Sequence, residues 1–187
     1  MNDCYIVLGT YRSGTSVISK IISSLGISMS EKSPQSDNAL WYPTGSFNDK
    51  FSNYMSLNTS TYWKLKKESC VFNKMGIRSF DLLRKGVFAK LINDCDLNIG
   101  LIWSMRNIEK SYQEYVSLLG RQANPDTIEK QHEICQNIFN SFNGKKITIN
   151  YSDLMQNTNQ IANQLADFCG VSYIDGCTTG ITPKYLE

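Results

Sequence analysis

Gly9-Thr10-Tyr11-Arg12-Ser13-Gly14-Thr15-Ser16, preceded by the apolar run Cys4-Tyr5-Ile6-Val7-Leu8, is the stretch that decides the fold. Two glycines separated by four residues have the spacing of a Walker A loop, in which successive backbone N–H groups turn inward on an anion. Behind the loop, Val17, Ile18, Ile21, Ile22 and Leu25 recur at helical spacing until Gly26 stops the pattern. Strand, turn and helix therefore follow in the order an anion site needs. First-turn N–H groups and the positive end of the helix dipole, equivalent to roughly half a charge, face the ligand. Thr15 stands where a Walker A loop carries its Lys, so the cation of this loop is Arg12. The bland alternative is an ordinary strand-to-helix turn capped by Thr15 or Ser16.

Working outward, the pattern predicts strand 4–8, helix 14–25, an irregular stretch 30–50, helix 49–58, strand 70–74 and helix 79–94. Strand 99–105 and helices 108–119 and 126–142 follow, the last behind Pro125; then come strand 146–150 and a helix over 153–169 with Ser152 as its cap. Such alternation predicts an α/β fold of three layers, a central parallel sheet with right-handed crossovers and helices on both faces. Ligands of such sheets bind at the carboxyl ends of the strands, where both the 9–16 loop and Arg106 fall.

The chain has 187 residues, 41% of them hydrophobic and 19% charged, which fits one domain over residues 1–187 with a single core. A formal charge of +2 is too small to indicate nucleic acid or a membrane surface as partner, so any basic site is local. Cys4, Cys70, Cys95, Cys135, Cys169 and Cys177 have no metal-like spacing and read as reduced thiols, which predicts a cytoplasmic protein. Apolar runs fall far short of the ~20 residues of a membrane span.

Arg12-Ser13-Gly14-Thr15-Ser16 resembles the first signature of the sulfotransferase superfamily, basic-Ser-Gly-Thr-Ser/Thr. A second likeness is Asn98-Ile99-Gly100-Leu101-Ile102-Trp103-Ser104-Met105-Arg106-Asn107, an apolar strand ending in Arg-Asn and running into a helix. Ile147 to Leu154 followed by Leu165-Ala166-Asp167-Phe168-Cys169-Gly170 is similar to the family's Tyr-Glu-Asp-Leu and Leu-x-x-Phe-Leu-Gly ending. Tyr42-Pro43-Thr44-Gly45-Ser46-Phe47-Asn48-Asp49 is similar to the Asn-Pro-x-Gly-Tyr-Phe-Glu segment of bacterial-type members. The resemblance implies a P-loop-NTPase-like fold and 3′-phosphoadenosine 5′-phosphosulfate as donor, with adenosine 3′,5′-bisphosphate as product. It assigns Arg12, Ser13, Gly14, Thr15 and Ser16 to the 5′-phosphosulfate and Arg106 to the 3′-phosphate.

The chain departs from the family at several positions. The family places a Ser eight residues after the 3′-phosphate Arg; here that position is Glu114, so that Glu114 faces away or the nucleotide site is altered. Val17 replaces the adenine-stacking Trp of eukaryotic cytosolic members, and the stretch Val71 to Gly76, the nearest to their catalytic Lys-x-His segment, has Lys74 but no His. Asn48 falls at the usual Glu, so Asp49 is the expected general base, with a dipole-favoured helix-start carboxylate as its alternative role. His132, the one histidine, reads as a solvated residue in a polar helical run far from the motifs. Lys74 and Arg78 read either as groups near the transferring sulfuryl or as an ordinary strand end, and Tyr11, Trp41 and Tyr42 as an acceptor wall or as packing.

Sulfuryl transfer needs positioning and stabilisation of charge on the leaving phosphate. No metal is expected, because Arg106 ends the strand where a Walker B site would hold its Asp. A hydroxyl or amine on a small molecule or carbohydrate is the expected acceptor, with lipid, phenol and peptide tyrosine equally open. Two other classes remain: a P-loop nucleoside or nucleotide kinase, disfavoured by Thr15, and a non-catalytic nucleotide-binding module of the same fold.

Overall fold

A computed structural model describes residues 2–29, 74–78, 97–119 and 125–181. In chain order these form β1 (Asn2–Gly9), α1 (Thr15–Ser24), β2 (Ser28–Met29), β3 (Lys74–Arg78) and β4 (Leu97–Met105). They continue with α2 (Ile108–Leu119), α3 (Pro125–Ser141), β5 (Lys145–Asn150), α4 (Tyr151–Gln156) and α5 (Thr158–Cys169). The strands make one sheet in the order β2-β3-β1-β4-β5, and every pairing is parallel.

β1 is central, paired with β3 on one side and β4 on the other, so both its faces need apolar cover. Its run Tyr5-Ile6-Val7-Leu8 supplies it without alternation, and all four residues are buried. Tyr5 and Val7 join Ile102 and Ile149 in a core closed by Ile18, Ile21 and Ile22 of α1 and by Ile161, Leu165 and Phe168 of α5. Ile6 and Leu8 point the other way, in register with Leu101 and Trp103. On that side α3 covers the sheet: Phe139 packs its ring 5.2 Å from that of Trp103. The α/β architecture with helices on both faces follows from these two apolar faces.

α1 closes in a Schellman motif, Gly26 N–H to Ser23 O at 3.0 Å and Ile27 N–H to Ile22 O at 3.3 Å. The tyrosine hydroxyl of Tyr5, deep in the core, donates to the Cys169 carbonyl at 2.8 Å and so ties β1 to the end of α5.

Besides shifts of one or two residues at other element ends, three features differ from the sequence pattern. The strand expected at 70–74 is Lys74–Arg78, and the single helix expected over 153–169 is two, broken at Asn157. Thr158 Oγ1 donates to the Leu154 carbonyl at 2.8 Å, taking the acceptor that a continuous helix would give to a backbone N–H. The first of the two helices starts at Tyr151 with Asn150 as its N-cap, so Ser152 is not the cap. The helices expected at 49–58 and 79–94 lie outside the described residues.

Cys135, Cys169 and Cys177 are buried thiols. Burial pushes the Cys135 thiol up to about 12, and a hydrogen bond with the Gly9 backbone only partly opposes it. Cys135 should therefore resist iodoacetamide at pH 8 until the chain unfolds, as peptide mapping would read. Because its folded value is the higher one, its contribution to stability is full below about pH 9 and is lost as pH rises through about 12.

Candidate anion-binding site

Parallel strands put all carboxyl ends on one edge, and three of them build the site. The loop after β1, Arg106 after β4 and Tyr151 after β5 meet there.

The loop is rigidly held. Ser13, buried, donates its hydroxyl to the Thr10 carbonyl at 2.8 Å, and Ser104 Oγ of β4 donates to the Ser13 carbonyl. The Ser13 hydroxyl is thus spent inside the loop rather than offered to a ligand. Tyr11 N–H donates to Oε1 of the buried Gln131 at 2.9 Å, and the exposed Tyr11 ring stacks on Tyr115 at 5.4 Å. Arg12 has φ 67, a left-handed conformation that costs a non-glycine residue roughly 1–2 kcal/mol. Arg106 Nη1 holds that conformation by donating to the Arg12 carbonyl at 2.8 Å.

Gly14 is the N-cap of α1, with φ 93. A Cβ there would lie 2.6 Å from Cδ2 of Tyr151, so the close approach of that ring demands glycine. As N-cap, Gly14 has no side chain with which to cap the first turn of α1, and such a helix start is suited to receiving an anion.

Glu114 completes the arrangement. The carboxylate neither faces away nor stands apart: its Oε2 accepts from Arg12 Nε at 3.2 Å, and its Oε1 accepts from Arg106 Nη2. The arginine of the first motif and that of the second thus share one carboxylate. The Arg106 guanidinium also lies over the Tyr151 ring, 4.2 Å from its centroid, and Arg106 Nε is buried without a hydrogen-bond partner among the described residues.

Beside this cluster opens a cavity of about 840 Å³ whose lining includes Arg106, Lys110, Glu114, His132, Tyr151 and Ser152. His132 is therefore not remote from the motifs: α3 folds back across β4 and sets its ring 5.5 Å from Trp103 in the cavity wall. Asp49, with the Tyr42–Asp49 segment, Trp41 and the 30–73 stretch, lies outside the described residues. Among the described residues no group of three or more His, Cys, Asp or Glu is placed to hold a metal, and no helix is long and apolar enough to cross a membrane.

The strand-end arginine and the loop were legible in the sequence. Ser104, Gln131 and the packing of Tyr151 under Arg106 were not, because each depends on a partner more than forty residues away.

No family model matches the chain, and no curated protein matches it in sequence. Solved structures do resemble it. It is similar to the sulfotransferase domain of a Synechococcus olefin synthase, at TM-score 0.65 and 14% identity, over 98% of this chain and 77% of that one. It is similar to a sulfotransferase from Alicyclobacillus acidocaldarius, at TM-score 0.56 and 15% identity, over 92% and 83% respectively. A sugar kinase from Janibacter is also similar, at TM-score 0.55 and 11% identity, over 92% and 96%. The chain has the P-loop-like α/β fold that sulfotransferases share with small-molecule kinases.

Proposed function

We propose that the chain is a sulfotransferase-like transferase that moves a sulfuryl group from 3′-phosphoadenosine 5′-phosphosulfate to a hydroxyl or amine of a small-molecule or carbohydrate acceptor. One observation carries the reading: Arg12 and Arg106, one from each signature, converge on a single anionic group, the Glu114 carboxylate. The cations of both signatures therefore face one anion-binding site, as a donor with phosphates at both its 5′ and 3′ positions requires.

In this reading Arg12 and the N–H groups of residues 13–16 receive the phosphosulfate, and Arg106 receives the 3′-phosphate. The donor supplies an activated sulfuryl group. The chain's part is to hold it in line and to meet negative charge on the leaving phosphate with fixed donors, which suits a loose transition state. Thr15 in place of Lys favours this over phosphoryl transfer from ATP. Asp49 is proposed to take the acceptor proton. The cavity beside Arg106, at about 840 Å³, has the size of a small-molecule site.

Calorimetry with adenosine 3′,5′-bisphosphate and with ATP, each with and without Mg²⁺, tests the proposal. The bisphosphate should bind more tightly than ATP and equally well without the metal. Tight ATP binding that requires Mg²⁺ would make the chain a kinase, and nucleotide binding without transfer to any acceptor would make it a binding module. Arg106→Ala should weaken the bisphosphate by about 1.5–3 kcal/mol, the range for hydrogen bonds to a charged group, or roughly 10- to 150-fold in Kd. An unchanged preference for the bisphosphate over adenosine 5′-phosphate in Arg106→Ala would remove Arg106 from the 3′-phosphate.

A further inference from the structure

The Arg106 guanidinium is incompletely used. Nη1 is committed to the Arg12 carbonyl and Nη2 to Glu114 Oε1, while Nε, on the same edge as Nη2, is buried with no partner among the described residues. That edge is the one an arginine presents for two-point binding of an oxyanion. Glu114 does not fill it in this arrangement: its Oε1 takes Nη2, and its Oε2 is turned to Arg12 Nε at 3.2 Å. A carboxylate has two oxygens for three donors, whereas a phosphate or sulfate group has three. The donor set therefore fits a tetrahedral oxyanion better than the carboxylate that sits on it. The Arg106 side chain is only 7% exposed and that of Glu114 21%, so water does little to screen the contact.

We propose that Glu114 is an internal competitor: its carboxylate occupies the paired arginines until a ligand oxyanion displaces it, and so limits how much a second phosphate on the nucleotide adds to binding. This deepens, and rests on, the donor reading of the same site. Glu114 lies on α2, on the chain segment that follows Arg106. In this proposal a rotation of its side chain vacates the arginines. The displaced charge then stands beside the bound anion, which repels it.

The test compares wild type with Glu114→Gln, which keeps the side chain's shape, and with Glu114→Ser, which empties the position. In both variants the Kd for adenosine 3′,5′-bisphosphate should fall by roughly tenfold or more, and by a larger factor than that for adenosine 5′-phosphate, which gains only the freed Arg12. A second measurement needs no nucleotide. Removing the carboxylate leaves two arginines facing each other, so sodium sulfate should raise the melting temperature of each variant by roughly 3 °C or more beyond its effect on wild type. Bisphosphate binding that is unchanged or weaker in both variants, with a wild-type response to sulfate, overturns the proposal and makes Glu114 a positioning residue for the arginines. Failure of both nucleotides to bind any of the three proteins, with selective stabilisation by sulfate retained, removes the donor reading and leaves the competitor in place.

Discussion

Arg12→Ala is expected to lower the release of adenosine 3′,5′-bisphosphate from the sulfuryl donor by roughly 100- to 1000-fold, the loss that follows removal of one fixed oxyanion donor. Arg12 is the cation of the loop, its side chain is 16% exposed, and it is positioned by Glu114 on one side and by its own left-handed backbone on the other. The substitution removes the charge and leaves the fold little altered. Alanine at φ 67 carries the same backbone strain as arginine, and Glu114 keeps its ion pair with Arg106. Arg12→Lys should recover only part of the activity, since lysine keeps the charge and loses the planar fork. Turnover within about threefold of wild type in a folded Arg12→Ala protein would remove Arg12 from the chemistry.

Gly14→Ala is expected to be the most destabilising change in the site, at roughly 2–4 kcal/mol in urea denaturation. About 1–2 kcal/mol comes from an alanine held at φ 93, and the rest from a Cβ 2.6 Å from the Tyr151 ring. Gly26→Ala separates the two contributions. Gly26 has φ 85, but nothing lies within 4 Å of its missing Cβ, so only the backbone part of about 1–2 kcal/mol is expected there. Equal costs at the two positions would show that the ring moves aside freely. Because Tyr151 also carries the Arg106 guanidinium, a displaced ring should weaken nucleotide binding as well as stability.

The two signatures were legible because each is a local pattern with a physical purpose. An apolar run, a glycine-bounded turn and an amphipathic helix can be read without knowing what lies across the sheet, and so can a strand that ends in arginine. The split of the final helix was not legible, since Thr158 competes for the Leu154 carbonyl only once both helices dock on the core. His132 looked remote because its neighbours in sequence are polar, yet α3 returns over β4 and brings it into the cavity wall with Arg106.

The sequence alone determined the parallel α/β architecture, the place of the loop and the place of Arg106, because backbone geometry and hydrophobic periodicity act over a few residues. Only the tertiary structure decided what those residues face. Arg12 and Glu114 are 102 positions apart in the chain, and no local pattern records that a carboxylate on α2 spans both arginines, or that Tyr151 closes against Gly14. Electrostatic pairing and ring packing depend on distances that arise only when strands far apart in sequence are laid side by side.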